Sequence, residues 1–385
     1  MTVSNEEKKA VWDAYRARKP IRVPLRWNAN PRVILLNPEL NPEGYSFEAY
    51  FTDPRVTLAV QARFQEYCAD VLSAACDAPS GLPDAWSFYA DCQNVYDGCY
   101  FGARLVFEDG QTPGACPTFG IEDVDGFLER DFSKPLENPW LKKHLAFAER
   151  LKAAAKSFSH LGRRGAVSPV SLGFDGPVTA AAMLFGTDFF CLLGLDPPKA
   201  ARVIEKITRG AILRTRALAE LTAPWQKAPW GWLADDSIQL VSAQMYEELV
   251  LPAHELWYSS TSDTTPGSKQ RSMHLCGDAT RHFKTIRDKL GVASFDTGFP
   301  VDHGALRRSL GPEVEISGGP RAGLLQAGTP GECAEAARNI LRSGVMEGGR
   351  FILQEGNNLP PRTPIANLQA VYGVCREYGV YGTPA

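Results

Sequence analysis

Nine cysteines occur in the chain, yet no two of them form a CxxC pair. That absence excludes a sequence-local zinc knuckle. Any metal site must be assembled from distant parts of the chain. The odd cysteine count and the scatter argue for reduced thiols, most of them packed as small apolar side chains. No apolar stretch approaches the roughly 18 residues of a membrane span. The opening Met1-Thr2-Val3-Ser4-Asn5-Glu6-Glu7 is polar and charged and cannot be the apolar core of a signal peptide. No membrane partner is expected, and the location is expected to be cytoplasmic. Long basic runs are missing too. Arg163-Arg164, set between Gly162 and Gly165, reads as a solvated turn. With a net charge of −3, a nucleic-acid partner is not expected. No Gly-x-Gly-x-x-Gly follows a strand, and neither a Walker loop nor a Gly-x-Ser-x-Gly elbow occurs. These gaps remove dinucleotide binding, P-loop phosphate chemistry and the α/β-hydrolase nucleophile. There is no internal repeat or low-complexity tract.

What is present is enough apolar residue for a sizeable core. Of 385 residues, 44% are hydrophobic and 22% charged, a balance typical of globular chains. Ser4-Asn5-Glu6-Glu7 has the form of a capping box opening a helix to about Arg18. Asp53-Pro54 opens another through about Ala75, and Trp140 to Ser157 is a long amphipathic helix. Pro113 to Phe119 reads as irregular. From Val167-Ser168-Pro169-Val170-Ser171-Leu172-Gly173 onward the rhythm is strand, loop, helix. It repeats over some 220 residues to the last helix, Thr363 to Tyr378. Such alternation implies a parallel sheet, and its count suits a (β/α)8 TIM barrel better than an open sheet. Residues 1–80 are then an N-terminal extension packed on a barrel of residues 81–385.

A barrel carries its chemistry at the C-terminal ends of its strands. That filter selects Asp175, the pair Asp235 and Asp236, His274 with Cys276, Asp296, and Glu355 with Asn357. His274 and Cys276 are two apart, so in a strand both side chains point the same way and can reach one metal ion. A catalytic zinc needs three protein ligands and an open position. Glu355 is the chemically stronger third candidate, since the neutral amide of Asn357 is a poor zinc ligand. Asp235, Asp236 and Asp296 are candidates for acid–base work or for orienting His274 and substrate. Asp175, Trp232 and Asn358 are candidate substrate contacts, the indole as a wall for a flat ligand. His254 reads as packing or surface. His144, His160 and His282 read as surface, and Cys333 as part of a surface helix start.

The stretch His274-Leu275-Cys276-Gly277-Asp278, together with Gly348-Gly349-Arg350-Phe351-Ile352-Leu353 through Pro364-Ile365-Ala366-Asn367-Leu368, resembles the uroporphyrinogen decarboxylase superfamily. The match is to its corrinoid-linked, zinc-dependent methyltransferase branch. Gly173-Phe174-Asp175-Gly176-Pro177 and Asp235-Asp236-Ser237 add to it. The resemblance implies zinc held by His274 and Cys276, with Glu355 or Asn357 nearby. Asn357 stands where that branch carries a cysteine. It further implies a small methylated substrate, with a methoxy compound favoured, and cobalamin carried by a separate corrinoid protein. The Asp-x-His-x-x-Gly cobalamin signature is missing from this chain. The superfamily's frequent dimers make a homodimer one expected assembly. The arginine-rich Arg-Gln-Ala-Gly-Arg segment of the decarboxylases is also missing; Arg22-Val23-Pro24-Leu25-Arg26-Trp27-Asn28 stands there instead. A decarboxylase, or a non-catalytic tetrapyrrole-binding barrel, is the alternative.

Overall fold

The computed structural model describes residues 3–382. Among them run nine strands: β1 (Trp86–Phe88), β2 (Arg104–Val106), β3 (Gly114–Cys116), β4 (Gly165–Val167), β5 (Gly231–Ala234), β6 (Arg271–Leu275), β7 (Val292–Thr297), β8 (Glu315–Gly318) and β9 (Phe351–Leu353). β5 to β9 form one parallel sheet in chain order, β1 pairs with β4 in parallel, and β2 with β3 antiparallel. Helices separate the parallel strands, as crossover connections require.

The ladder does not close among the described residues. At one edge Leu25 bridges to Leu353; at the other, the N–H of Ala234 reaches the carbonyl of Phe174 at 3.4 Å. The fold is α/β with parallel strands, as the alternation implies; among the described residues the longest ladder is five-stranded, with a single bridge at one edge and a single hydrogen bond at the other. The strand expected over Val167 to Gly173 shows one cause. It stops at Val167, because Pro169 has no N–H to give a ladder and Gly173 has no side chain to pack in one. Pro113 to Phe119, expected as irregular, contains β3. A helix over Thr187–Leu195 went unexpected, since its run of apolar residues has no polar stripe to mark a period.

The long helix Pro197–Glu220 shows how the core is built. Asp196 caps it, accepting from the N–H of Lys199 at 3.0 Å, and Ala200, Val203, Ile207 and Ala211 form one buried stripe. One turn on, the same stripe carries Arg214, fully out of solvent and paired with buried Asp97 at 2.7 Å. No single described helix is long and apolar enough to cross a membrane. Pro177–Phe185 and Thr187–Leu195 pass that test only together, bent by 112°, and Val178, Ala181, Leu184, Phe189 and Leu192 of the pair are buried in the core.

Three side chains expected at the surface are buried instead: His144, His282 and Cys333. His144 stacks on Trp140, and His282 Nε2 donates to the carbonyl of Ile238 at 2.9 Å. The capping box of Thr329 and Glu332 does open the helix Pro330–Ile340, but Cys333 lies on its inner face.

The turn into the helix Pro177–Phe185 depends on Gly176. Its φ is +93°, and a Cβ there would run into the carbonyl of Ala234 and the side chain of Asp235. Gly176→Ala is expected to cost more than about 2 kcal/mol in denaturant unfolding, from backbone strain plus overpacking. An unchanged midpoint would contradict this placement.

Candidate metal centre

Register assembles the site. Ala234 of β5, His274 of β6 and Asp296 of β7 are paired neighbours across the sheet. Paired residues of parallel strands project to one face, so the carboxylate lands beside the imidazole. His274 Nδ1 lies 2.8 Å from Asp296 Oδ2. The other ring nitrogen, Nε2, lies 2.9 Å from Cys276 Sγ and 3.7 Å from Asp236 Oδ1. Asp236 also accepts from the backbone N–H of Cys276 at 2.7 Å, which ties the end of β5 to the end of β6. Gly277 follows at φ +76°, where any Cβ would strike the Gln239 amide. The donor atoms of Asp236, His274 and Cys276 all lie within 4.8 Å of one another.

The charges around the imidazole set its protonation. Burial alone would lower the His274 pKa, but hydrogen bonds to Asp296 and Cys276 outweigh it and hold it up at about 11. Burial pushes the Cys276 thiol up, with the imidazole pulling the other way, and burial likewise raises Asp236 against the pull of His274. This donor set fits a zinc ion. It offers one sulfur, one nitrogen and one oxygen, and a carboxylate on Nδ1 that leaves Nε2 as the ligand atom. Asp296→Asn is expected to weaken zinc binding about 10–100-fold while leaving a saturable site, measured by competition with a chromogenic chelator.

The other sequence-selected residues fall into place around this group. A cavity of about 430 Å³ opens over it, lined by Asp236, His274, Asp296, Asp175, Trp232, Asn357 and Asn358 among others. Asn357 takes φ +124°, a region that favours glycine, so the cavity wall holds a strained backbone. Glu355 lies elsewhere. It is fully buried, and both its oxygens accept from the N–H of Asn28, at 3.1 and 3.2 Å. Burial pushes its pKa up to about 8. The converging donor set thus contains Asp236 where the sequence offered Glu355 or Asn357. Asp235 is also buried and faces away from the cavity. It accepts from the N–H groups of Val178 (3.2 Å) and Thr179 (2.8 Å), from the Thr179 hydroxyl (2.9 Å) and from His254 Nε2 (2.9 Å).

Sequence reasoning missed Asn28, Arg32, Asn94 and Tyr96, which line the same cavity. They precede the strand–helix alternation, and nothing local marks them. It also missed Gln354, whose side-chain amide donates to Asp296 while its carbonyl accepts from Arg26 at 2.9 Å.

The family model for uroporphyrinogen decarboxylase (URO-D) matches residues 101–378, well over half of the sequence. The chain belongs to the URO-D family. Two curated relatives are each 27% identical. The methylcobamide:CoM methyltransferase MtbA of Methanosarcina acetivorans aligns over 142 residues, 37% of this chain and 39% of the relative. The methylated-thiol–coenzyme M methyltransferase of Methanosarcina mazei aligns over 252 residues, 64% of this chain and 63% of the relative. The alignments therefore span less than two thirds of either relative's length. Among solved structures, a methyltransferase from Methanosarcina mazei superposes with a TM-score of 0.61 at 15% identity, covering 97% of this chain and 99% of that one. At that identity the likeness is one of fold. The Asp236–His274–Cys276 group falls within the matched residues, at the strand ends of this chain.

Proposed function

We propose that this URO-D family protein is a zinc-dependent methyltransferase moving a methyl group between a small methoxy substrate and a corrinoid protein. One observation carries the reading: Asp236 Oδ1, His274 Nε2 and Cys276 Sγ converge at the strand ends beneath a cavity. The names of the curated relatives, both methyltransferases, point the same way. A zinc ion held by these three residues would supply Lewis acidity toward a donor oxygen. One thiolate, one imidazole and one carboxylate form a harder set than a site with two thiolates, which suits an ether oxygen better than a soft thiol. The chain's own residues do the rest. Asp296 fixes the tautomer of His274, with Gln354 and Arg26 behind it. Trp232, 42% exposed, walls the cavity and offers a flat face to a ring. The cavity lies within the range of small-molecule sites. The methyl acceptor is a corrinoid on a separate protein docked over the mouth.

The test supplies zinc-loaded protein with cob(I)alamin and a panel of methoxy compounds, and follows methylcobalamin by absorbance. Methylation of a thiol from methylcobalamin, with no demethylation of any ether, would reverse the assigned direction.

A further inference from the structure

The cavity holds a second chemical group that the metal centre does not use. Asp175 follows the edge segment beside β5, and its backbone N–H donates to Asp97 Oδ2 at 2.7 Å. Its Oδ1 accepts from the Tyr96 hydroxyl. Its Oδ2 is out of solvent contact and has no hydrogen-bond partner among the described residues. Both Tyr96 and Asp175 line the cavity, together with Asp236 and His274.

An ionised carboxylate in that setting would be poorly stabilised. The groups facing it are Tyr96 and Asp97 on one helix, Cys92 just before that helix, Arg214 on the long helix, and Asp236 after β5. Of these only Arg214 is cationic. Its guanidinium is committed at 2.7 Å to Asp97 and also donates to the carbonyl of Gly173 at 2.6 Å. Two neighbouring carboxylates and one already paired cation leave Asp175 as the acid that keeps its proton. Burial, then the charge of Asp97, pushes its pKa up to about 8. Tyr96 is held far above its usual range by burial and by the carboxyls of Asp175 and Asp97, so it stays protonated at rest.

We infer that Tyr96 and Asp175 form the proton donor of the proposed reaction, Tyr96 touching the oxygen that the methyl group leaves and Asp175 supplying the proton through it. The inference rests on the methyl-transfer reading above. The methyl carbon leaves the ether oxygen for the corrinoid acceptor, which contributes the electron pair of the new bond. The pair of the broken C–O bond stays on oxygen. The Tyr96 hydroxyl, which donates to Asp175 in the free site, turns to that oxygen and gives it its proton while taking the Asp175 proton, so a phenol or alcohol departs and Asp175 ends as a carboxylate. The substrate class is accordingly an ether whose leaving oxygen is too basic to depart unprotonated.

The test uses the zinc-loaded full chain, cob(I)alamin and aryl methyl ethers of graded leaving-phenol acidity, with the Asp175→Asn and Tyr96→Phe variants. Either variant is expected to lose about 10²–10⁴-fold in rate with the least acidic phenol, and far less with the most acidic. Since the acid must be protonated, the wild-type rate falls as pH rises through the raised pKa of Asp175, and Asp175→Asn loses that limb. A readout without turnover is the wild-type-minus-Asp175→Asn infrared difference spectrum at neutral pH, in which the carbonyl band of one protonated carboxyl is expected beyond that of buried Glu355. Wild-type turnover with undiminished variants, or a loss equal across all leaving groups, overturns the donor assignment alone. No transfer by the wild type from any ether overturns the methyl-transfer reading, and the donor with it.

Discussion

Metal-free protein titrated with zinc is expected to bind about one equivalent and to release protons, and His274→Ala and Cys276→Ala are each expected to bind none. The sign follows from the site. Without metal, the imidazole of His274 is protonated up to about pH 11, and burial keeps Cys276 as a thiol. A zinc ligand must be neutral imidazole or thiolate, so both protons oppose the metal. Apparent zinc affinity should therefore rise with pH across the neutral range. Calorimetry in buffers of different ionisation enthalpy counts the protons, and plasma mass spectrometry counts the zinc. Methyl transfer should fall at least about 10³-fold in both variants, because several kcal/mol of charge stabilisation are removed at 1.36 kcal/mol per tenfold. Zinc retained in full by both variants would sink the assignment of the site. Asp236→Ala should join them in losing metal, whereas Glu355→Gln should not. The buried Glu355 carboxyl serves the N–H of Asn28, outside the converging group.

How much of this was legible in the residues depends on how local each signal is. His274 and Cys276 were readable because a two-residue spacing at a strand end is a local pattern with a geometric meaning. Asp296 was readable as a polar residue ending an apolar strand, but its contact with His274 is a matter of register between β6 and β7, which no local pattern specifies. The choice of Asp236 over Glu355 was likewise hidden. Both follow strands, and only the three-dimensional course of the chain turns one carboxylate toward the mouth and the other toward Asn28. Asn28, Arg32 and Tyr96 reach the cavity from segments far from it in sequence, where short irregular elements carry no periodicity. The parallel α/β character was legible from alternation. The edges of the sheet were not, because one bridge at Leu25 and one hydrogen bond at Phe174 leave no strand-length pattern.

Asp235 and Asp236 make the sharpest comparison, since composition and position treat them alike and the fold separates them. Asp235→Ala is expected to destabilise the protein by about 3–5 kcal/mol, the cost of breaking a buried charged network. It would strip the acceptor from two N–H groups at the start of the helix Pro177–Phe185, from the Thr179 hydroxyl and from His254, of which Val178 and His254 are buried. His254 would lose its carboxylate yet keep the Tyr246 hydroxyl on Nδ1, at 3.1 Å, so the damage centres on the helix start. Asp236 is different in kind. Its side chain is 37% exposed, and its contacts are the N–H of Cys276 and the imidazole edge of His274. Asp236→Ala should stay within about 1 kcal/mol of wild type in denaturant unfolding, as expected for a partly exposed polar contact, while zinc stoichiometry collapses. The two measurements cross: stability lost with metal retained for one aspartate, metal lost with stability retained for its neighbour. If Asp235→Ala folds normally and loses zinc, the assignment of the two carboxylates is inverted, and the side chain that anchors the helix and the one that faces the cavity must change places.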